Sequence, residues 1–186
     1  MTRAFELLLS LMAAALFAVP AALVAMAVRL TSPGPVLYWS ERVGRNNRTF
    51  LMPKFRTMRV GTPALASHLL GQPASVLTPI GGLLRRTSLD ELPQLWSVIR
   101  GDMTLVGPRP ALFNQDDLIA LRTNAGVHRL KPGITGWAQV EGRDAVSLTQ
   151  KVDLDRYYLE HRSFRLDLHI LARTVLKLFG DSSVSH

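Results

Sequence analysis

One long apolar stretch opens the chain, and shorter segments with the periods of strands and helices follow it. Leu7 to Val28 is a run of 22 residues without a charge, interrupted in character only by Ser10 and Pro20. As a helix it would be roughly 33 Å long, enough to cross a hydrocarbon core. It is too long for the apolar part of a cleaved signal peptide and runs straight on into patterned sequence, which disfavours that alternative. Pro20 removes a backbone donor deep in the run and predicts a bend. Arg3 precedes the run, and Arg29, Arg42, Arg45 and Arg48 follow it. Keeping both flanks cytoplasmic satisfies the preference of positive charge for that side; a straight span with a tolerated proline is the competing arrangement.

Thr31-Ser32-Pro33-Gly34-Pro35 ends the helix and divides the chain into a membrane segment, 1–35, and a body, 36–186. Val36 to Arg59 reads as two short strands around the turn Gly44-Arg45-Asn46-Asn47. Strand alternation puts Lys54 and Arg56 on one face, with Phe50, Met52 and Met58 in the same register. Such a face either receives a diphosphate or headgroup, or is a solvated basic edge that discourages aggregation. Residues 61–78 read as a loop and short helix, with His68 on the surface.

Leu92, Leu95, Trp96 and Ile99 follow i, i+3, i+4, i+7 spacing and predict a helix with these residues on its buried face. Pro93 fits only a first turn, so the helix is expected to start near Leu89 or Asp90. Asp90 and Glu91 then read as an N-cap and a first-turn acid, or as two carboxylates at a phosphate-binding helix terminus. Gly101-Asp102 predicts a hairpin turn before a strand from Met103 to Val106. In Gly107-Pro108-Arg109-Pro110, two prolines stiffen the chain about one cation, as a phosphate clamp or a structural ion pair would require. Asp116-Asp117 reads as the surface of a helix N-terminus. Gly133 and Gly136 punctuate Lys131 to Val140 and permit close backbone approach. Arg143 lies in a loop and is a weaker contact candidate. From Arg165 to Phe179 the cations Arg165, His169, Arg173 and Lys177 recur every four residues beside Leu168, Leu171, Val175 and Leu178. That is a basic amphipathic helix, which either lies on an anionic bilayer or packs on the core with a solvated face.

Composition narrows the choice. The formal charge of +8, from 22 Lys and Arg against 14 Asp and Glu, favours anionic partners. The 47% hydrophobic content and the lack of any recognisable nucleic-acid module argue against an RNA- or DNA-binding protein. Absence of cysteine excludes a disulfide framework, thiolate zinc and a thiol nucleophile.

Four motifs together carry a resemblance: Lys54-Phe55-Arg56-Thr57-Met58, Asp90-Glu91-Leu92-Pro93-Gln94-Leu95, Gly101 to Pro110, and Lys131 to Val140. In this order the chain, from about residue 3 to 178, resembles the bacterial sugar transferases, the small monotopic polyprenyl-phosphate phosphoglycosyl transferases. The resemblance implies an α+β, mainly helical body held at the cytoplasmic face of the bacterial inner membrane by a re-entrant N-terminal helix, in the family's minimal form. It implies transfer of a phosphosugar from a UDP-sugar to polyprenyl (undecaprenyl) phosphate, releasing UMP, as the first membrane step of glycoconjugate assembly. Asp90 would be the nucleophile, passing through an aspartyl-phosphosugar, and with Glu91 the magnesium ligand; the sequence equally allows an enzyme of the same fold in which Asp90 only holds the metal and the lipid phosphate attacks directly. Lys54, Arg56, Arg85, Arg109 and Arg143 would bind substrate. One departure stands out, since the family usually has a serine before the membrane proline and this chain has Val19. A bend there must be held by other contacts, or be shallower. The alternative from another class is a non-catalytic basic membrane-surface protein that binds anionic lipid or RNA and is indifferent to Asp90→Asn. The sugar, the pathway and the oligomeric state are encoded by none of these motifs.

Overall fold

A computed structural model describes residues 1–63, 73–142 and 146–180. The architecture is mixed α/β and about 59% helical. Helices α1 (Arg3–Leu16) and α2 (Ala18–Thr31) come from the apolar run and meet at 57°. The break falls at Phe17, upstream of Pro20, for a local reason. Proline has no N–H for the carbonyl four residues earlier, Leu16, and its ring crowds that carbonyl. Pro20 itself then sits in the first turn of α2, where a missing donor costs little. No described helix alone is long and apolar enough to cross a membrane; the bent pair together has the length and composition.

The arms are held by packing on different parts of the body. Leu9 of α1 joins the largest core cluster, around Val98, Met103, Val106 and Ile170, and Arg3 donates from Nη2 to the Ile99 carbonyl at 2.9 Å. Val24 and Val28 of α2 enter a second cluster with Phe55 and Leu84. Val19 is 70% exposed, so the bend is held by these docked arms and owes nothing to a side chain before the proline.

Strands β1 (Leu37–Val43) and β2 (Thr49–Phe55) form the expected antiparallel pair, in register from Leu37 opposite Phe55 to Val43 opposite Thr49. Asn46 and Asn47 turn the chain with φ of 56° and 59°, a conformation asparagine tolerates better than most residues. Short helix α3 (Gly81–Arg86) leads to a 3₁₀ helix, Leu89–Gln94, and then to α4 (Leu95–Arg100). The α-helix thus starts five residues later than Asp90, because Pro93 cannot donate and the preceding turn closes as 3₁₀. The buried face of this segment also differs from expectation. Gln94, Ser97 and Val98 are buried, whereas Trp96 is 52% exposed and Leu92, Leu95 and Ile99 are only partly covered.

Gly101, at φ 95°, ends α4 as a left-handed cap and starts no hairpin. The next strand, β3 (Thr104–Val106), pairs in parallel with β5 (Gly133–Thr135), while β4 (Ala111–Leu112) adds to β1. Four helices complete the body: α5 (Asp116–Asn124), α6 (Trp137–Glu141), α7 (Leu148–His161) and α8 (Phe164–Gly180). Asp116 and Asp117 are exposed at the start of α5, as expected. On α8 the core face is Asp167 and Ile170, while Phe164, Leu168 and Val175 are exposed. Two of its cations are engaged: Arg173 with Glu141, and Lys177 with the Gln139 carbonyl at 3.2 Å.

Candidate active site

Four segments bring the charged residues together. Strand β2 supplies Lys54, the end of α3 supplies Arg85, the 3₁₀ helix supplies Asp90 and Glu91, and the loop between β3 and β4 supplies Arg109. Ser88 connects α3 to the 3₁₀ helix in a left-handed conformation, φ 55°. For a residue with a side chain that costs about 1–2 kcal/mol, an expense tolerated where it orients functional groups.

The adjacent carboxylates stand in opposite electrostatic situations. Lys54 Nζ and Arg109 Nη2 both donate to Glu91 Oε1, at 2.7 and 2.6 Å. Burial alone would raise the Glu91 carboxyl; Arg109 and Lys54 override it and hold the group well below the usual carboxylate range. Asp90 is 7% exposed, and no described residue donates a hydrogen bond to its carboxylate. Burial raises its carboxyl above the ordinary value; Lys54 opposes that, Glu91 adds to it, and Arg85 and Arg109 oppose it. Asp90 is therefore the less committed anion of the pair. Burial likewise lowers the Lys54 ammonium, with Glu91 opposing.

The segment carrying Arg109 is fixed along its backbone. Gly107 N–H donates to the Thr135 carbonyl at 2.8 Å, and the Pro108 carbonyl accepts from Gly133 N–H at 3.0 Å. Gly133 must be glycine for this approach, since a Cβ there would lie 2.1 Å from the Gly107 nitrogen. The Arg109 carbonyl accepts from Arg122 Nη1 at 2.8 Å, and the Pro110 carbonyl from Arg42 Nη1 at 3.3 Å. Arg122 is itself buried and donates from Nε and Nη2 to Asp155 Oδ2 at 2.9 and 2.6 Å. Arg42 is lowered to about 10 by burial and by Arg109, with Glu91 opposing.

Of the expected site residues, the structure gathers Lys54, Asp90, Glu91 and Arg109. Arg85 lies beside them, donating from Nε to Thr57 Oγ1 at 3.1 Å. Arg56 goes elsewhere: β2 ends at Phe55, and the buried guanidinium donates to the Pro33 and Ser32 carbonyls at 2.6 and 2.8 Å. It ties the linker after α2 to the body and does not share the Lys54 face. Arg143 and His68 lie outside the described residues. Sequence reasoning missed Arg42 as a neighbour of the clamp, as well as Arg122 and Asp155. Arg122 and Asp155 are 33 positions apart on different helices, and no local pattern marks either of them.

The donor set bears on magnesium. Glu91 has Oε1 committed to two cations, while Asp90 is free of hydrogen bonds from described residues. Among the described residues no group of three His, Cys, Asp or Glu converges to hold a metal by itself. Two carboxylates with phosphate oxygens completing the sphere is the arrangement magnesium commonly adopts, and these residues fit it.

The bacterial sugar transferase family description matches residues 1–181. The chain belongs to the bacterial sugar transferase family. It is accordingly a transferase. This sugar transferase is 44% identical over 160 residues to the uncharacterized sugar transferase EpsL of Bacillus subtilis (strain 168), across 84% of this chain and 76% of that protein. It is 39% identical over 185 residues to the UDP-glucose:undecaprenyl-phosphate glucose-1-phosphate transferase of Caulobacter vibrioides, across 95% of this chain and 68% of that one. With the undecaprenyl-phosphate glucose phosphotransferase of Komagataeibacter xylinus it shares 39% identity over 188 residues. There the match covers 93% of this chain but 35% of the relative, so this transferase spans about a third of that protein.

Proposed function

We propose that this sugar transferase moves a phosphosugar from a UDP-sugar to a polyprenyl phosphate, giving a polyprenyl-diphosphate-sugar and UMP. The observation that carries the reading is the pairing of a buried Asp90, whose carboxylate accepts no hydrogen bond from a described residue, with a Glu91 clamped by Lys54 and Arg109. An oxygen of Asp90 attacks the β-phosphorus of the donor. The bond from that phosphorus to the bridging oxygen breaks, and its electron pair leaves with UMP, so an aspartyl-phosphosugar remains. An oxygen of the polyprenyl phosphate then attacks the same phosphorus, and the returning electron pair restores the Asp90 carboxylate. Covalent catalysis divides one exchange between two anions into two easier steps.

Four anionic groups meet in this reaction, so cations are indispensable. Lys54, Arg85 and Arg109 supply them from the protein, aimed where charge grows on the transferring group. Magnesium, held by Asp90 and Glu91 together with substrate phosphates, would add charge neutralisation at the same place. Names of the relatives support both substrates: the Caulobacter protein is named for UDP-glucose and undecaprenyl phosphate.

The arms α1 and α2 would enter the cytoplasmic leaflet as a re-entrant elbow. Leu8, Leu16, Val19 and Leu30 are exposed on their outer surfaces, an arrangement that suits lipid. Phe164 on α8 meets Phe5 edge to face, which extends this apolar surface onto α8. Such a position puts the site at the interface, within reach of a lipid phosphate and a cytosolic nucleotide sugar. The test is UMP release by nanodisc-embedded protein, with magnesium and a panel of UDP-sugars, with and without undecaprenyl phosphate. Release with one donor, abolished by EDTA, is expected. Anionic-lipid or RNA binding that weakens with salt, with no release from any donor, would favour a non-catalytic surface protein instead.

A further inference from the structure

We infer that the apolar cleft beneath the elbow seats the head-proximal part of the acceptor's isoprenoid chain; the inference rests on the proposed transfer to a polyprenyl phosphate. The cleft has a volume of about 460 Å³. That lies within the roughly 300–1,000 Å³ of small-molecule sites.

One wall is the helix face that its spacing destined for a core. Leu92, Leu95, Trp96 and Ile99 line the cleft, while the segment buries Gln94, Ser97 and Val98. Ala14 on α1, and Ala21 and Ala25 one turn apart on α2, line it too, together with Val36, Leu37 and Phe55. Ala21 and Ala25 pack against the second core cluster, which contains Val24, Val28 and Phe55, while Leu23 and Met26 of the same helix point outward. Alanines at the lining positions of α2 take up little of the cleft.

The cleft is apolar and adjoins the charged site along the chain: Leu92 and Pro93, which line it, directly follow Glu91 with its two cations. Phe17, at the bend, lines it as well. A ligand with an anionic phosphate joined directly to a branched hydrocarbon matches this polarity, with the phosphate at Asp90 and the chain running toward the bend. Its length beyond Phe17 would continue into the bilayer. Hydrocarbon already in lipid gains little from moving against alanine and leucine. The cleft therefore contributes placement and shape selection more than affinity.

Two measurements test this. In the first, wild-type protein in nanodiscs is photolabelled with a polyprenyl phosphate bearing a diazirine on its first isoprene unit. Labelling should fall on the cleft wall, at Leu92, Trp96 or Ala25, and unlabelled polyprenyl phosphate should compete while phosphatidic acid does not. Labelling of outward residues such as Leu23 or Leu30, or equal competition by phosphatidic acid, overturns the inference and leaves a cleft filled by ordinary bilayer lipid. In the second, Ala21→Phe and Ala25→Phe should each raise the acceptor KM about tenfold, equivalent to 1.4 kcal/mol, with the donor KM within about twofold. Val19→Phe, on the outer surface, should change neither. Donor and acceptor constants that rise together, or an unchanged acceptor constant, count against the site. Photolabel in the cleft of a protein that turns over no UDP-sugar would retain the site and refute the transfer reading; turnover with label elsewhere would do the reverse.

Discussion

Arg122 donates a hydrogen bond from Nη1 to the backbone carbonyl of Arg109 at 2.8 Å, so a buried guanidinium on α5 fixes the segment that aims the Arg109 guanidinium at Glu91. Asp155 on α7 holds Arg122 in turn. Arg122 touches neither carboxylate of the pair and acts through position alone. Arg122→Lys keeps the charge but loses the fork that reaches Asp155 and the Arg109 carbonyl together. A drop of about 10–100-fold in kcat/KM for the donor is expected from the misplaced clamp. In an Arg109→Ala background the same change should have almost no further effect on the donor constants. If the two losses multiply in full, Arg122 supports the fold and does not act through Arg109.

Asp155→Asn addresses stability. Arg122 would remain buried with its ionic partner neutralised, which costs about 3–5 kcal/mol when a buried pair is broken from one side. Burial raises the Asp155 carboxyl while Arg122 opposes, so the pair is held at a desolvation cost. Thermal unfolding of the purified protein should show a clearly lowered Tm. An unchanged Tm would mean that Arg122 finds another acceptor.

The carboxylates predict opposite responses to pH in the protein free of donor and divalent ion. Glu91 is lowered by folding, so its contribution to stability is present above its ordinary value of 4.5 and lost as pH falls through the folded value. Asp90 is raised, so its contribution is present below its ordinary 3.8 and lost as pH rises through the folded value. Glu91→Gln should therefore flatten the acid limb of unfolding followed by near-ultraviolet circular dichroism. Lys54→Met should move the Asp90 carboxyl higher still, measurable by carbon NMR of labelled aspartate. A downward move would contradict the electrostatic account.

The elbow predicts a topology. Cysteines placed singly at Thr2 and Asn47, on either side of α1 and α2, should both react with a membrane-impermeant thiol reagent from the cytoplasmic side. Pro20→Ala should not change this result, because α1 and α2 dock on separate core clusters. Labelling from opposite sides would establish a straight span.

Local pattern made much of this legible. The strands around Asn46 and Asn47, the break in the apolar run and the helix ending near Phe179 all follow from periodicity and turn residues. Pro93 set the type of the turn that carries Asp90 and Glu91, but the 3₁₀ closure depended on how the chain enters from Ser88. Leu92, Leu95, Trp96 and Ile99 show the limit of spacing: the periodicity is real, yet what the apolar face meets depends on where the elbow folds back. Arg56 left its strand register because the strand ends one residue before it. Asp155 and Arg122 meet only through the packing of α5 on α7, which no window of sequence contains.

The most direct test of the central claim uses a UDP-sugar labelled with ³²P at the β-phosphate, incubated without acceptor and quenched. Wild-type protein should carry covalent label equivalent to the UMP released, and undecaprenyl phosphate should discharge it. Asp90→Asn should carry none, while the same label on Glu91→Gln would keep Asp90 as the nucleophile. Wild-type turnover with no protein-bound label, or full labelling of Asp90→Asn, would contradict nucleophilic attack by Asp90.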